Sequence, residues 1–294
     1  MKISTNIGFV SHTCGDKEAI QILAEAGFDA VDYSFGTLTA PIDLWLQDDY
    51  AHRAKELLDC AHAKGMYFNQ AHAPLPITAS GQNTMDALKN VSYERMERVF
   101  EICKLMEIPH IIVHGMRPPA FATEPEKMFQ FNLDYFRKLK EVAEPHGVRI
   151  AVENLYKTFS SPDNLGRVMV ELNDDYFMAC VDVGHCNIVN SGSGGMIRRL
   201  GSRVQALHIH DNHVDYDEHL LPGFGTADWE DILNALAEVG YRGEFTLEAS
   251  DHSCSCMRSD AGFDASFFPV ALRYAQQTAR YLADKLERKL AAKA

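Results

Sequence analysis

The chain has 294 residues, 46% of them apolar, with 28 basic and 41 acidic side chains and a formal net charge of −13. That length and apolar content suit one large domain with a sizeable core. An acidic balance argues against a general nucleic-acid or anionic-membrane binder, which carries a basic excess. No stretch approaches 18 apolar residues, and the opening MKISTNIGFVSHT has no long apolar region. Neither a transmembrane helix nor a signal peptide is expected, and the expected location is the cytoplasm.

Short apolar runs alternate with longer amphipathic ones. A strand is predicted at Ile3–Phe9, then a helix at Asp16–Ala26, a strand at Ala30–Tyr33 and a helix at Asp49–Ala63. Next come a strand at Tyr67–His72, a helix at Met85–Met106, a strand at His110–His114 and a helix at Glu124–Glu144. The second half repeats the alternation: strand Arg149–Glu153, helix Pro162–Leu172, strand Phe177–Asp182, a short helix at Gly194–Leu200 and strand Val204–His210. Helix Asp228–Val239, strand Glu244–Glu248 and helix Phe267–Ala291 complete it. Gly27, Gly65, Gly147 and Gly240 each follow a helical run and precede a strand, where a left-handed residue ends the helix. Gly192-Ser193-Gly194-Gly195 reads as a flexible loop. Eight strands alternating with helices predict an α/β fold, a (β/α)8 TIM barrel in one domain over 1–294, with a C-terminal helix and tail from about 267. The doubly wound open sheet is the competitor, but no GxGxxG follows the first strand.

The seven cysteines (Cys14, Cys60, Cys103, Cys180, Cys186, Cys254 and Cys256) are odd in number and scattered, which favours reduced thiols.

Four polar residues sit near the ends of four successive apolar runs: Glu153 in VRIAVEN, Asp182 in FMACVDVGH, His208 in VQALHIHD and Glu248 in EFTLEAS. A buried charge is costly unless paired or bound to a metal, so four of them point to one site where the strands converge. Side chains alternate faces along a strand. Glu153 therefore shares a face with Ala151, Asp182 with Cys180, His208 with Ala206 and Glu248 with Thr246. That face would line the barrel, while Ile150, Val152, Val181, Leu207, Ile209, Phe245 and Leu247 would meet the helices. Three carboxylates and one imidazole suit a divalent cation, Mn²⁺ first, with Mg²⁺, Co²⁺ or Zn²⁺ as alternatives.

AVEN at 151–154, VDVGH at 181–185, HIHD at 208–211, DEHLLPGFG at 217–225 and TLEAS at 246–250 together resemble the xylose isomerase-like TIM barrels. That superfamily includes sugar isomerases and epimerases as well as apurinic/apyrimidinic-site endonucleases. The resemblance implies that Glu153, Asp182, His208 and Glu248 are metal ligands, that Glu153 and Glu248 are also the catalytic proton carriers, and that His185 contacts substrate oxygens. His72, His114 and His210 would stand at the mouth as further substrate-binding residues. The sequence departs from the ketose 3-epimerase pattern at Phe159 and Val214, where those enzymes carry a Glu and an Arg. The endonuclease branch implies three zinc ions, for which His72, His114, His185, Asp217 and His219 supply the further ligands.

The expected reaction is isomerisation or epimerisation of a small sugar. One glutamate takes the proton beside a carbonyl that the cation polarises, an enediolate forms, and the proton returns to another carbon or the other face. A three-zinc endonuclease and a metal-dependent sugar lyase or dehydratase are the alternatives. The expected partner is a small carbohydrate, not a membrane or nucleic acid, and a homo-oligomer stays open. Tyr33, Phe35, Trp45, Tyr156 and Phe224 fall in candidate mouth loops, with Lys157 nearby. Arg117 and Arg258 follow strands four and eight, where they would hold an anionic group.

Overall fold

The computed structural model describes residues 1–36, 44–75, 91–156, 161–249 and 265–293. Eight parallel strands form one sheet in the order β7-β6-β5-β4-β3-β2-β1-β8. They are β1 Ile3–Asn6, β2 Ala30–Ser34, β3 Tyr67–His72, β4 His110–Val113, β5 Arg149–Glu153, β6 Phe177–Asp182, β7 Val204–His208 and β8 Phe245–Leu247. The remaining edge closes through a bridge between Ile209 and Leu247, where Ile209 N–H donates to Thr246 O (2.9 Å) and Glu248 N–H to Ile209 O (3.0 Å). The result is a (β/α)8 TIM barrel.

Period-two alternation sorts the strands into two apolar layers. Ile112, Ala151, Met178, Cys180 and Ala206 form a cluster of their own inside the barrel. Ile150, Val152, Val181, Leu207, Ile209, Phe245 and Leu247 join the much larger layer under the helices. Ser4, Asn69 and Thr246 continue the interior as a buried polar chain. Ser4 Oγ donates to Asn69 Oδ1 (2.6 Å), and Asn69 Nδ2 donates to Thr246 Oγ1 (3.2 Å).

The surrounding helices include α1 Gly8–Cys14, α2 Asp16–Ala26, α3 Tyr50–Ala63, α4 Tyr93–Leu105, α5 Pro125–Ala143 and α6 Pro162–Leu172. After them come α7 Val183–Ile188, α8 Ser193–Leu200, α9 Trp229–Glu238 and α10 Phe268–Ala291. Leu272, Ala275, Ala279, Leu282, Ala283, Leu286 and Leu290 recur at helical spacing and bury one face of α10. That face lies over α2 and α9.

Several boundaries differ from expectation. The first strand stops at Asn6, whose Oδ1 accepts from Gly8 N–H (2.8 Å) as the chain turns into α1. Gly192 (φ 70°) precedes α8, but Ser193, Gly194 and Gly195 form its first turn rather than a loop. A Cβ on Gly194 would lie 2.0 Å from Asp231 Oδ2, so close packing against α9 explains the glycine there. The expected helix over Met85–Met106 falls partly outside the described residues, within which it runs from Tyr93. Among the described residues, no helix is long and apolar enough to cross a membrane.

Candidate active site

The C-terminal ends of β5, β6 and β7 are Glu153, Asp182 and His208, and Glu248 follows β8 directly. Parallel pairing sets Asp182 beside His208 and Glu153 beside Cys180. One donor atom from each of Glu153, Asp182, His208 and Glu248 falls within 4.8 Å of the other three. Glu153 Oε1 and Glu248 Oε2 both approach His208 Nδ1 to 3.2 Å. Neither approach has hydrogen-bond geometry, and this nitrogen is buried without a partner. A buried polar atom of this kind calls for an explanation. A hard divalent cation between three carboxylates and one imidazole supplies it, so the residues present fit such an ion.

The surrounding histidines are oriented by backbone. A carbonyl only accepts, so each ring nitrogen bonded to one carries its proton. His72 Nδ1–H donates to Ala73 O (3.0 Å), His185 Nδ1–H to Asn154 O (2.8 Å) and His219 Nδ1–H to Glu248 O (2.7 Å). All three rings therefore turn Nε2 toward carboxylates. His72 Nε2 lies 3.5 Å from Glu153 Oε2, while His185 Nε2 (3.1 Å) and His219 Nε2 (3.2 Å) flank Asp217 Oδ2. His114 Nε2 lies 2.9 Å from Glu153 Oε2. His210 Nε2 faces both oxygens of Asp182 at 3.0 Å, with its Nδ1 buried and unpartnered. A lone pair aimed at a carboxylate is repulsive, so each contact requires a proton or a cation. Ligating histidines are held in this way, with one ring N–H committed to a carbonyl or carboxylate.

The electrostatics follow from burial and charge. Burial would raise the Glu153 carboxyl, but His208 and His114 outweigh it and hold it well below the usual range. Burial dominates at Glu248, whose carboxyl is raised although His208 and His219 oppose the shift. Burial disfavours the imidazolium at His185, yet Asp182, Asp217 and Glu153 push it up to about 10. The same opposition, with Asp217 and Glu248 prevailing, brings His219 to about 10. At His114 burial prevails and the ring is lowered. The carboxylates thus demand positive charge.

The remaining candidates divide. Asp217 and His219 reach the mouth from the segment after β7, where Val214 adopts φ 80°, a costly conformation for a β-branched residue. Tyr156 packs against His185, with ring centroids 5.3 Å apart. Tyr33, Phe35 and Trp45 do not line the mouth. They are buried on the helix side, where Trp45 Nε1–H donates to Tyr33 OH (3.0 Å) and Tyr33 OH donates to Asp16 Oδ2 (3.1 Å). Phe224 is exposed and meets Tyr274 of α10 edge-on. Arg117 is exposed beyond β4. Lys157, Phe159, Cys254, Cys256 and Arg258 lie outside the described residues. Sequence reasoning missed Asp32, which is fully buried in β2 with Oδ2 3.2 Å from His208 Nε2. The signal was present: an acid inside the apolar run AVDYS.

Known proteins resemble the chain in sequence and in fold. It aligns at 28% identity over 192 residues with an uncharacterised protein of Sinorhizobium fredii, spanning 60% of each chain and so less than two thirds of that relative. A D-psicose 3-epimerase of Ruminiclostridium cellulolyticum is 24% identical over 241 residues, 79% of this chain and 77% of the enzyme. Among solved structures, a D-tagatose 3-epimerase-like protein superposes with TM-score 0.73 at 18% identity over 99% of this chain and all of the other. The IOLI protein with a bound zinc atom superposes with TM-score 0.71 at 17% identity, covering 97% and 98%. At these identities the superpositions speak for the fold. The family described as xylose isomerase-like TIM barrel matches residues 20–283, and the chain belongs to it.

Proposed function

We propose that the chain is a metal-dependent isomerase or epimerase of a small sugar. The observation that carries this reading is the approach of Glu153 and Glu248 to the unpartnered His208 Nδ1, each at 3.2 Å. The D-psicose 3-epimerase and inosose isomerase names of its relatives point to the same chemistry. Glu153, Asp182, His208 and Glu248 would hold the ion, Mn²⁺ first, which supplies Lewis-acid polarisation of a carbonyl and its neighbouring hydroxyl.

The protein groups divide the remaining work. Glu248 has a raised carboxyl and the more open side chain of the two glutamates (18% exposed against 1%). It takes the proton from carbon beside the carbonyl and exchanges it with the mouth. Glu153 is held ionised with Oε2 anchored by His114, and it serves the second proton position with Oε1. His185 stands at the mouth with Nε2 on Asp217 Oδ2, where a sugar hydroxyl would compete for that contact, and His210 holds Asp182 from behind. Tyr156 covers one side of His185.

A second reading, an apurinic/apyrimidinic-site endonuclease, is favoured by the His185–Asp217–His219 and His72–Glu153–His114 contacts, each of which gathers two imidazoles on one carboxylate oxygen. The net charge of −13 disfavours it, because a nuclease gains affinity by neutralising phosphates. The deciding experiment uses one preparation for two assays. The first is deuterium incorporation from D₂O into a ketose panel with Mn²⁺ or Co²⁺, and the second is incision of an abasic duplex with Zn²⁺ at low salt. Exchange without incision is expected, with one tight ion per chain. Exchange should drop by about 10²–10⁴ in Glu248→Gln at equal metal occupancy. Incision that disappears in Asp217→Ala and His219→Ala would overturn the proposal.

A further inference from the structure

We infer that Asp32 is a positioning residue for this centre. From β2, across the barrel from β7, it fixes the His208 ring so that Nδ1 faces Glu153 and Glu248. The inference rests on the metal reading above. His208 is fully buried, and its two nitrogens have opposite surroundings. Nε2 lies 3.2 Å from Asp32 Oδ2, and an ionised carboxylate oxygen only accepts, so Nε2 carries a proton. The electron pair is then left on Nδ1, the atom at 3.2 Å from both glutamates.

Asp32 is itself held in place. Gln70 Nε2 (3.2 Å) and Asn6 Nδ2 (3.4 Å) donate to the same Oδ2. Its Oδ1 is buried with no hydrogen-bond partner. A fully buried carboxylate with an unsatisfied oxygen destabilises the fold relative to a neutral residue of the same shape. Stability alone therefore does not explain an acid at this position. A negative oxygen behind the imidazole does explain it, because it selects the Nε2–H form and makes Nδ1 a better donor to a cation. The three mouth histidines that use carbonyls for this purpose have the opposite nitrogen facing in. His208 is thus oriented by a charge where they are oriented by dipoles.

The test compares Asp32→Ala and Asp32→Asn with Gln70→Ala. The last removes packing and a bond to Asp32 without touching His208. Mn²⁺ affinity is measured by competition with a chelator, alongside thermal melting. Asp32→Ala should weaken binding by about 10–100-fold, Asp32→Asn should recover part of the loss because it keeps an acceptor, and Gln70→Ala should stay close to wild type. In Zn²⁺-loaded, ¹⁵N-histidine-labelled protein, wild-type His208 should show a slowly exchanging Nε2–H and a metal-shifted Nδ1, and Asp32→Ala should lose the slow exchange. Coordination through Nε2, affinity unchanged in Asp32→Ala, or an equal loss in Gln70→Ala would each overturn the inference. These readouts need no turnover. A wild type that binds metal but exchanges no sugar proton defeats the sugar assignment alone, whereas a wild type that binds no divalent ion defeats the metal reading and this inference together.

Discussion

Gly184 should tolerate nothing larger, and the reason lies in His210. An added Cβ would sit 2.0 Å from His210 Cε1 and 2.4 Å from its Nδ1. Ordinary carbon contacts begin near 3.5 Å, so the ring would have to retreat by about 1.5 Å. It has nowhere to go. One face is stacked on His219 (centroids 4.2 Å, 10°), and Nε2 is bound to both oxygens of Asp182 at 3.0 Å. Because Gly184 lies inside α7, helix propensity alone predicts that alanine stabilises, by about 1 kcal/mol at most. Overpacking costs about 1–3 kcal/mol and more where relaxation is blocked, so the clash wins. At roughly 2–4 °C per kcal/mol in a chain of this size, Gly184→Ala should melt several degrees lower. Displacing the partner of Asp182 should also weaken Mn²⁺ binding by about 10–100-fold. Gly195→Ala is the control, since a Cβ there meets nothing within 4 Å. Differential scanning calorimetry and chelator competition read both effects. If Gly184→Ala matches Gly195→Ala in both, His210 is not held as described.

Removing two of the four central donors in Asp182→Ala/His208→Ala should abolish stoichiometric Mn²⁺ retention by elemental analysis after dialysis, and full retention would take those residues out of the site. Asp211, fully buried, accepts from Trp229 Nε1–H (2.8 Å) and the backbone N–H of Gly223, Ala227 and Asn212. Asp211→Ala strands these donors and should cost at least about 3 kcal/mol in urea unfolding, whereas a loss under about 1 kcal/mol would show that water replaces the carboxylate. At Asp29 burial opposes ionisation, but bonds from Lys2 and Ile3 N–H, with Arg280 at 3.0 Å, hold the carboxyl below its ordinary value. Its contribution is therefore fully present above the unfolded pKa of about 3.9 and is lost as pH falls through the lower folded value. Melting temperatures across acid pH should fall less steeply for Asp29→Asn than for wild type, and parallel curves would refute the assignment.

The barrel and its inner face were readable because strands obey a period-two rule that one sequence carries in full. Ala151, Cys180 and Ala206 fell inside, and Val152, Val181 and Leu207 fell under the helices, as parity requires. The convergence of Glu153, Asp182, His208 and Glu248 was readable from the cost of charge at the end of an apolar run. The same parity places Asp32 inside and Tyr33 outside. Phe35 and Trp45 were misplaced at the mouth because aromatic residues in loops carry no sign of which layer they enter, whereas for Tyr33 the strand parity was there to be read. Helices α1 and α7 were missed because seven and six residues are too few for a helical period to declare itself. The α7 start was nonetheless encoded, since Asp182 Oδ1 accepts from His185 N–H (2.7 Å) as an N-cap. Nothing in the sequence predicts φ 80° at Val214, because that conformation is imposed by Asn212, whose Oδ1 accepts from the Val214 N–H (3.1 Å), and by the segment's return to the mouth.

Under the metal-dependent reading proposed above, protons can satisfy some contacts of the site and not others. Asp217 Oδ2 lies between two Nε2 atoms whose rings have already committed Nδ1–H to carbonyls, so protonating His185 and His219 turns both contacts into charge-assisted hydrogen bonds. The rise of both rings to about 10 is the same statement in terms of charge. His114, lowered by burial, meets Glu153 Oε2 in hydrogen-bond geometry as the neutral Nε2–H form. The flanks are therefore stable with protons alone. The centre is not. A proton on His208 Nδ1 points at neither Glu153 Oε1 nor Glu248 Oε2, although both stand at 3.2 Å. Two acidic groups converging on a nitrogen whose proton they cannot share suit a charge with no preferred direction, and a divalent ion is such a charge. One ion at the centre, with protons on the flanks, keeps His185 and His219 on Asp217 and the two carbonyls, whereas three ions would replace the protons on Nε2. A single tight ion in metal titration would therefore support the proposed sugar chemistry, and three would favour the nuclease reading.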